Sequence, residues 1–283
     1  MTELPKLGVA LLPDELPHHI DWLVDGSRDL ELQGFHSPNS LLSDWRPRAA
    51  EVRKQLASHK GRQGMHGPAT VPLASNDPGL RALAQERLGQ GLDVCEEIGL
   101  TQMVIHSPYI HWDQENLYRV PGRRDEKLSD FKMTLEPIVV RAEKLSVELV
   151  IENIEDRDPA IRRDIVRHFA SSALKLSIDT GHAFYANRMG AAPSVELFVR
   201  AAGEDLAHLH LQDADGLADR HWAIGDGSVP WRSVFEELSL LSSNPRLIIE
   251  IRDKTEVPRS CDHLINLGIC LLYTSPSPRD LRK

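Results

Sequence analysis

Eight short apolar, β-branched runs recur along this 283-residue chain, and helical stretches separate them. They are LGVALL (7–12), DLELQGF (29–35), QGMHGP (63–68), QMVIHSP (102–108), ELVIENI (148–154), LKLSIDTGH (174–182), LAHLHLQD (206–213) and RLIIEIRD (246–253). Parallel neighbours cannot be joined by a tight turn and need a crossover, which a helix supplies. The alternation therefore predicts a parallel sheet of βα units. Eight such units close on themselves, and the chain length suits one domain of this kind, so the predicted fold is α/β, a TIM (β/α)8 barrel.

The segments between the runs carry helix signals of their own. DPGLRALAQERLGQGLDVCEEIG (77–99) opens on a capping Asp77 and Pro78 and closes on Gly99. In FKMTLEPIVVRAEKL (131–145), Pro137 either kinks the helix or marks its true start. WRPRAAEVRK reads as an ordinary second helix, with Arg46, Arg48, Arg53 and Lys54 on a solvated face. The polar segment HWDQENLYRVPGRRDE (111–126) is either a lid or a surface loop.

Composition narrows the function classes. Hydrophobic residues make up 41% and charged residues 27%, enough apolar material for a sizeable core. A net charge of -9 gives no general attraction for phosphate backbones, so nucleic acid is not the expected partner. Cys95, Cys261 and Cys270 show no CxxC spacing, which points away from a disulfide framework and a thiolate zinc site. With no export signal in MTELPKLGVALLPDELP and no run of about 20 apolar residues, the expectation is a cytoplasmic protein without a membrane span.

Polar residues fall at unexpected places in the runs. His66, His106, Glu152, Asp179, His210 and Glu250 all lie at or near the carboxyl end of an apolar run, which in a barrel is the active-site face. Carboxylates and imidazoles crowded there repel their own kind unless a divalent cation sits among them. The stretch HLHLQDADGLADRH (208–221) adds His208, Asp213, Asp215, Asp219 and His221. His208 and His210 share one face of a strand. Read alone, the stretch fits a metal site or a set of solvated loop aspartates equally well.

CLLYTSPSPRD (270–280) loses the helical period of the segment before it and closely resembles the translation of a sequencing adapter. The expected organisation is therefore a barrel over 1–269 and a non-native tail over 270–283, with the last helix cut short.

The motifs MHGPATVPLASNDPGLR (65–81), MVIHSPY (103–109), LVIENIED (149–156), SIDTGHAF (177–184), HLHLQDADGLADRHWAIGDGSVPW (208–231) and LIIEIRD (247–253) occur in an order that resembles the xylose isomerase-like TIM barrels. This superfamily holds sugar phosphate isomerases and epimerases and the endonuclease IV type of abasic-site nuclease. The isomerase branch implies one divalent ion (Mn, Mg, Co or Zn) on Glu152, Asp179, His210 and Glu250. In that branch Glu152 and Glu250 pass a proton to and from a metal-stabilised enediolate of a sugar or sugar phosphate. His182 would orient a substrate hydroxyl or carbonyl. His66, His106, Asp219 and His221 become substrate-binding groups or additional ligands.

The nuclease branch implies three zinc ions on His66, His106, Glu152, Asp179, His182, His210, Asp219, His221 and Glu250, acting on an abasic-site phosphodiester. Two departures weaken it: that branch carries an aromatic residue three positions after the first histidine, where this chain has Ala69, and the acidic charge balance comes with no marked run of Lys or Arg. A keto-inositol dehydratase and a sugar-binding barrel without turnover are further alternatives, and a homo-oligomer is compatible with each. The isomerase or epimerase is the leading expectation. On this reading Asp213 and Asp215 are ordinary loop residues, His208 is a neighbour in the barrel wall, and Trp112 and Trp222 lie on βα loops.

Overall fold

In the computed structural model, which describes residues 6–268, each of the eight runs contains a strand. These are β1 (Leu7–Leu11), β2 (Leu30–Leu32), β3 (Gln63–His66), β4 (Gln102–His106), β5 (Glu148–Glu152), β6 (Leu174–Asp179), β7 (Leu206–Leu211) and β8 (Arg246–Ile249). All neighbours are parallel, and the sheet closes by pairing β1 with β8 through Leu7↔Leu247 and Val9↔Ile249. The protein is a TIM barrel. The strand β2 is shorter than its run because Gly34, at φ 92°, turns the chain away from the ladder.

The predicted helix signals act as expected around Pro78–Ile98. Asp77 accepts from Gly79 N at 2.7 Å and Leu80 N at 3.2 Å, and Gly99 closes the helix at φ 90°. Pro137 does not start a helix: it lies inside Arg123–Leu145. A proline leaves the carbonyl four residues earlier without its donor. That carbonyl belongs to Met133, and Gln85 Nε2 from Pro78–Ile98 donates to it at 3.0 Å. The neighbouring helix thus supplies the bond that the proline cannot make.

The segment 111–126 is no irregular loop. It contains the helix His111–Asn116 and the first turn of Arg123–Leu145. WRPRAAEVRK lies on the helix Arg46–Gln55, where Arg48 and Arg53 pair with Asp14 and Glu97 on an exposed face. Among the described residues, no helix is long and apolar enough to cross a membrane. The last described helix is Val257–Asn266, and the tail expected to be non-native lies outside the described residues.

Two features of the ladder position the site. Register sets His106 beside Glu152 and Asp179 beside His210, all at carboxyl ends. The barrel interior also takes in Glu31, Ser177, His208 and His210, each 2% exposed or less, where such barrels ordinarily stack branched apolar side chains.

Asp213 is not an ordinary loop residue. Buried after β7, its carboxylate accepts from Ala214 N (3.0 Å), Gly225 N (2.8 Å), Val229 N (3.0 Å) and Trp231 Nε1 (3.0 Å). Its backbone exchanges a pair of 3.0 Å bonds with Trp222. One anion therefore gathers the whole segment 213–231, whereas Asp215 makes a local pair with Arg220. Truncating Asp213 orphans several buried donors, each costing about 1–3 kcal/mol. We expect Asp213→Ala to destabilise the fold by about 3 kcal/mol or more in chemical denaturation; a loss below about 1 kcal/mol would mean that water replaces the carboxylate.

Candidate metal centre

The carboxyl ends of the strands meet in a cup of about 340 Å³, walled by His66, His106, Glu152, His182, Asp219, His221 and Glu250 together with Gln33, His36, Ala69 and Ile154. Below its floor sit Asp179 and His210, both fully buried. All nine side chains expected from the sequence come to this one place. Trp112, Trp222 and the segment 111–126 contribute nothing to the cup wall.

The innermost group is Glu152, Asp179, His210 and Glu250, whose ligand atoms all lie within 4.8 Å of one another. His210 Nδ1 faces it, 2.6 Å from Glu152 Oε1, 3.4 Å from Glu250 Oε2 and 4.0 Å from Asp179 Oδ2. Three carboxylates thus surround one imidazole.

A second group is His66, His106 and Glu152. The two Nε2 atoms are 3.4 Å apart and lie 3.9 and 3.5 Å from Glu152 Oε2. That oxygen is buried and has no hydrogen-bond partner. His66 Nδ1–H donates to Gly67 O at 2.9 Å, which leaves its Nε2 lone pair aimed at the carboxylate. Burial pushes His106 down to about 4, so its imidazole is neutral and able to ligate.

A third group is His182, Asp219 and His221. Asp219 Oδ1 lies 3.5 Å from His182 Nε2, and Asp219 Oδ2 lies 3.0 Å from His221 Nε2. Both imidazoles repeat the His66 arrangement. His182 Nδ1–H donates to Asn153 O at 2.9 Å and His221 Nδ1–H to Glu250 O at 3.0 Å, turning each Nε2 inward. His221 holds its position in the left-handed backbone region at φ 50°, an uncommon state for a residue with a Cβ.

Gln212 ties the third group to the first. Its Nε2 donates to Asp179 Oδ2 at 3.0 Å and Asp219 Oδ1 at 2.9 Å, while its Oε1 accepts from His221 N at 2.7 Å. Gly181 admits this amide: a Cβ there would stand 2.6 Å from Gln212 Oε1. Gln33 Nε2 donates to Glu250 Oε1 at 2.5 Å from the opposite side.

Sequence reasoning missed Glu31, Gln33, His36 and Gln212. Glu31 carried a usable signal, as a carboxylate between Leu30 and Leu32 in the run DLELQGF. Its partners, His208 and His210, lie far along the chain, and this is why the signal was not decisive.

The electrostatics follow from the crowding. Burial penalises every charge here, but opposite partners outweigh it in most cases. Glu152 is held well below the usual carboxylate range by His210, His182 and His106. Asp219 is held low by His182 and His221. His210 is raised well above its ordinary value by Glu250, Glu31 and Glu152, and His182 by Asp179, Asp219 and Glu152. Glu250 moves upward, because burial with repulsion from Glu152 and Glu31 outweighs the attraction of His210 and His221. Imidazolium protons therefore do in the metal-free protein what a divalent cation would do when bound. The donors are nitrogen and oxygen only, a set suited to Mg, Mn, Co or Zn. The unpartnered Glu152 oxygen and the inward Nε2 atoms fit such an ion.

A family model described as xylose isomerase-like TIM barrel matches residues 26–267. Uncharacterized protein MJ1311 of Methanocaldococcus jannaschii is 25% identical over 203 residues, covering 69% of this chain and 66% of its own length. The TTHB071 protein from Thermus thermophilus, solved after soaking with ZnCl2, is 25% identical with a TM-score of 0.72, over 93% of this chain and 98% of that one. A D-tagatose 3-epimerase-like protein superposes with a TM-score of 0.75 at 22% identity, over 95% and 100% of the two chains, and shares the fold.

His221 supplies a pH test. Burial acts to lower its pKa, but Asp219 and Glu250 prevail and push it from 6.5 up to about 9. A raised folded pKa stabilises fully below the unfolded value, and that stabilisation is lost as pH rises through the folded value. The melting temperature of EDTA-stripped protein should therefore fall between pH 6.5 and about 9. His221→Gln should flatten part of that slope, and an unchanged slope would assign it to other groups.

Proposed function

The chain belongs to the xylose isomerase-like TIM barrel family, and on that premise we propose that it is a divalent-metal-dependent isomerase or epimerase of a sugar or sugar phosphate. One observation carries this reading: Glu152 and Glu250, from β5 and the end of β8, both reach the floor of a cup of about 340 Å³, a size suited to one sugar. Glu152, Asp179, His210 and Glu250 would hold the ion, which supplies Lewis-acid polarisation of adjacent substrate oxygens and so acidifies the C–H bond between them.

The chain's own groups supply the rest. Glu152 and Glu250 take a proton from the substrate carbon and return one, each from its own strand end. His182 and His221, with Nδ1 anchored on backbone carbonyls and Nε2 turned to Asp219, form a trio on the cup wall that would orient substrate oxygens. Ala69 and Ile154 offer apolar wall to the sugar's C–H faces. Fixed imidazoles need no reorganisation when the substrate arrives.

A second reading is favoured by the two further ligand groups. With His66–His106–Glu152 and His182–Asp219–His221 loaded beside the quartet, nine residues would hold three zinc ions, which supply an activated nucleophile and charge compensation for phosphodiester cleavage. Ala69 in place of an aromatic wedge and the net charge of -9 weigh against a DNA substrate.

Metal analysis and isotope exchange separate the two. The first reading expects about one tightly held ion per chain and solvent deuterium entering a ketose or ketose phosphate. Glu152→Gln and Glu250→Gln should each lower that exchange by about 100-fold or more. Three zinc ions with cleavage of an abasic duplex would establish the second reading instead. A product short of one water marks a keto-inositol dehydratase, and sugar-dependent stabilisation without exchange marks a binding protein.

A further inference from the structure

We propose that Glu31 is a positioning residue for the metal centre: its carboxylate holds the Nε2–H of His210, so that His210 offers Nδ1 to the ion. The inference rests on reading Glu152, Asp179, His210 and Glu250 as a metal-holding quartet.

The two nitrogens of His210 face different surroundings. Nδ1 points into the quartet, 2.6 Å from Glu152 Oε1 and 3.4 Å from Glu250 Oε2. Nε2 points away from it, 3.0 Å from both Glu31 oxygens. An ionised carboxylate only accepts, so Nε2 carries a proton. Nδ1 also faces a carboxylate, Glu152 Oε1, so in the metal-free protein both nitrogens are placed to carry protons; an ion in the quartet would displace the Nδ1 proton, and the one held by Glu31 would stay on Nε2. Glu31 comes from β2, across the barrel from β7, so the contact bridges the interior wall to wall.

A second imidazole lies against Glu31. His208, two residues before His210 on the same face, places Nε2 3.1 Å from Glu31 Oε2, and its Nδ1 lies 2.8 Å from Ser177 Oγ.

A purely structural role is a poor account of this group. Glu31 is 2% exposed between Leu30 and Leu32, where an apolar side chain of similar volume costs less than a buried ion pair. Glu31, His208 and His210 also form a compact donor set. The direct 3.0 Å contacts satisfy the Glu31 and His210 atoms with one another, as in support for a neighbouring site. Carboxylate–imidazole–metal series of this kind fix the tautomer and strengthen the ligand.

The test uses the EDTA-stripped 283-residue chain, with Mn²⁺ affinity measured by calorimetry and the melting temperature of the metal-free state measured alongside. We expect Glu31→Gln to weaken Mn²⁺ binding by about 10- to 100-fold while the metal-free protein stays folded. Wild-type affinity in Glu31→Gln, or a drop in metal-free melting temperature with affinity unchanged, would overturn the assignment. A wild-type protein that binds no Mn²⁺ would remove the quartet reading and this role with it. Where Glu31→Gln does not fold, nitrogen NMR of zinc-loaded wild type decides: His210 ligated through Nδ1 with a proton on Nε2 supports the role, and the reverse tautomer overturns it.

Discussion

Glu152 stands where two groups of ligand atoms meet, and its two oxygens answer to different partners. Oε1 is taken by His210 Nδ1 at 2.6 Å, while Oε2 is left buried without a hydrogen bond before the Nε2 atoms of His66 and His106. A carboxylate at such a depth persists only with compensating charge. The imidazoles of His210 and His182 serve that requirement for Glu152, while the amides of Gln33 and Gln212 do the same for Glu250 and for Asp179 and Asp219.

The segment after β7 shows how structural and chemical duties divide within one loop. Asp213 turns its carboxylate to backbone and indole donors and shapes the turn. Further along, Asp219 turns its own to His182, His221 and Gln212 at the cup wall. The two residues are chemically identical and differ in what the fold brings to them. The strained φ of His221 has the same origin, since its Nδ1 must reach Glu250 O while its Nε2 meets Asp219.

Much of this was legible in the chain itself. The eight runs contain the eight strands, and polar residues at their carboxyl ends mark the cup, because burial of a strand end makes a lone His or Glu conspicuous. Pro137 was legible only as a disturbance; its tolerance inside Arg123–Leu145 depends on Gln85, which no local pattern connects to Met133. Asp213 misled for a related reason. A loop aspartate in the acidic stretch QDADGLAD looks solvated until the donors that surround it are seen.

By itself the sequence determined the strand and helix alternation, the barrel and nine of the side chains gathered at its mouth, since periodicity and residue type are local properties. Only the tertiary structure decided how those side chains group, which ring nitrogen faces inward, and that Glu31 lies behind His210. Glu31 and His210 are 179 positions apart. They become partners only when a closed barrel sets β2 across from β7.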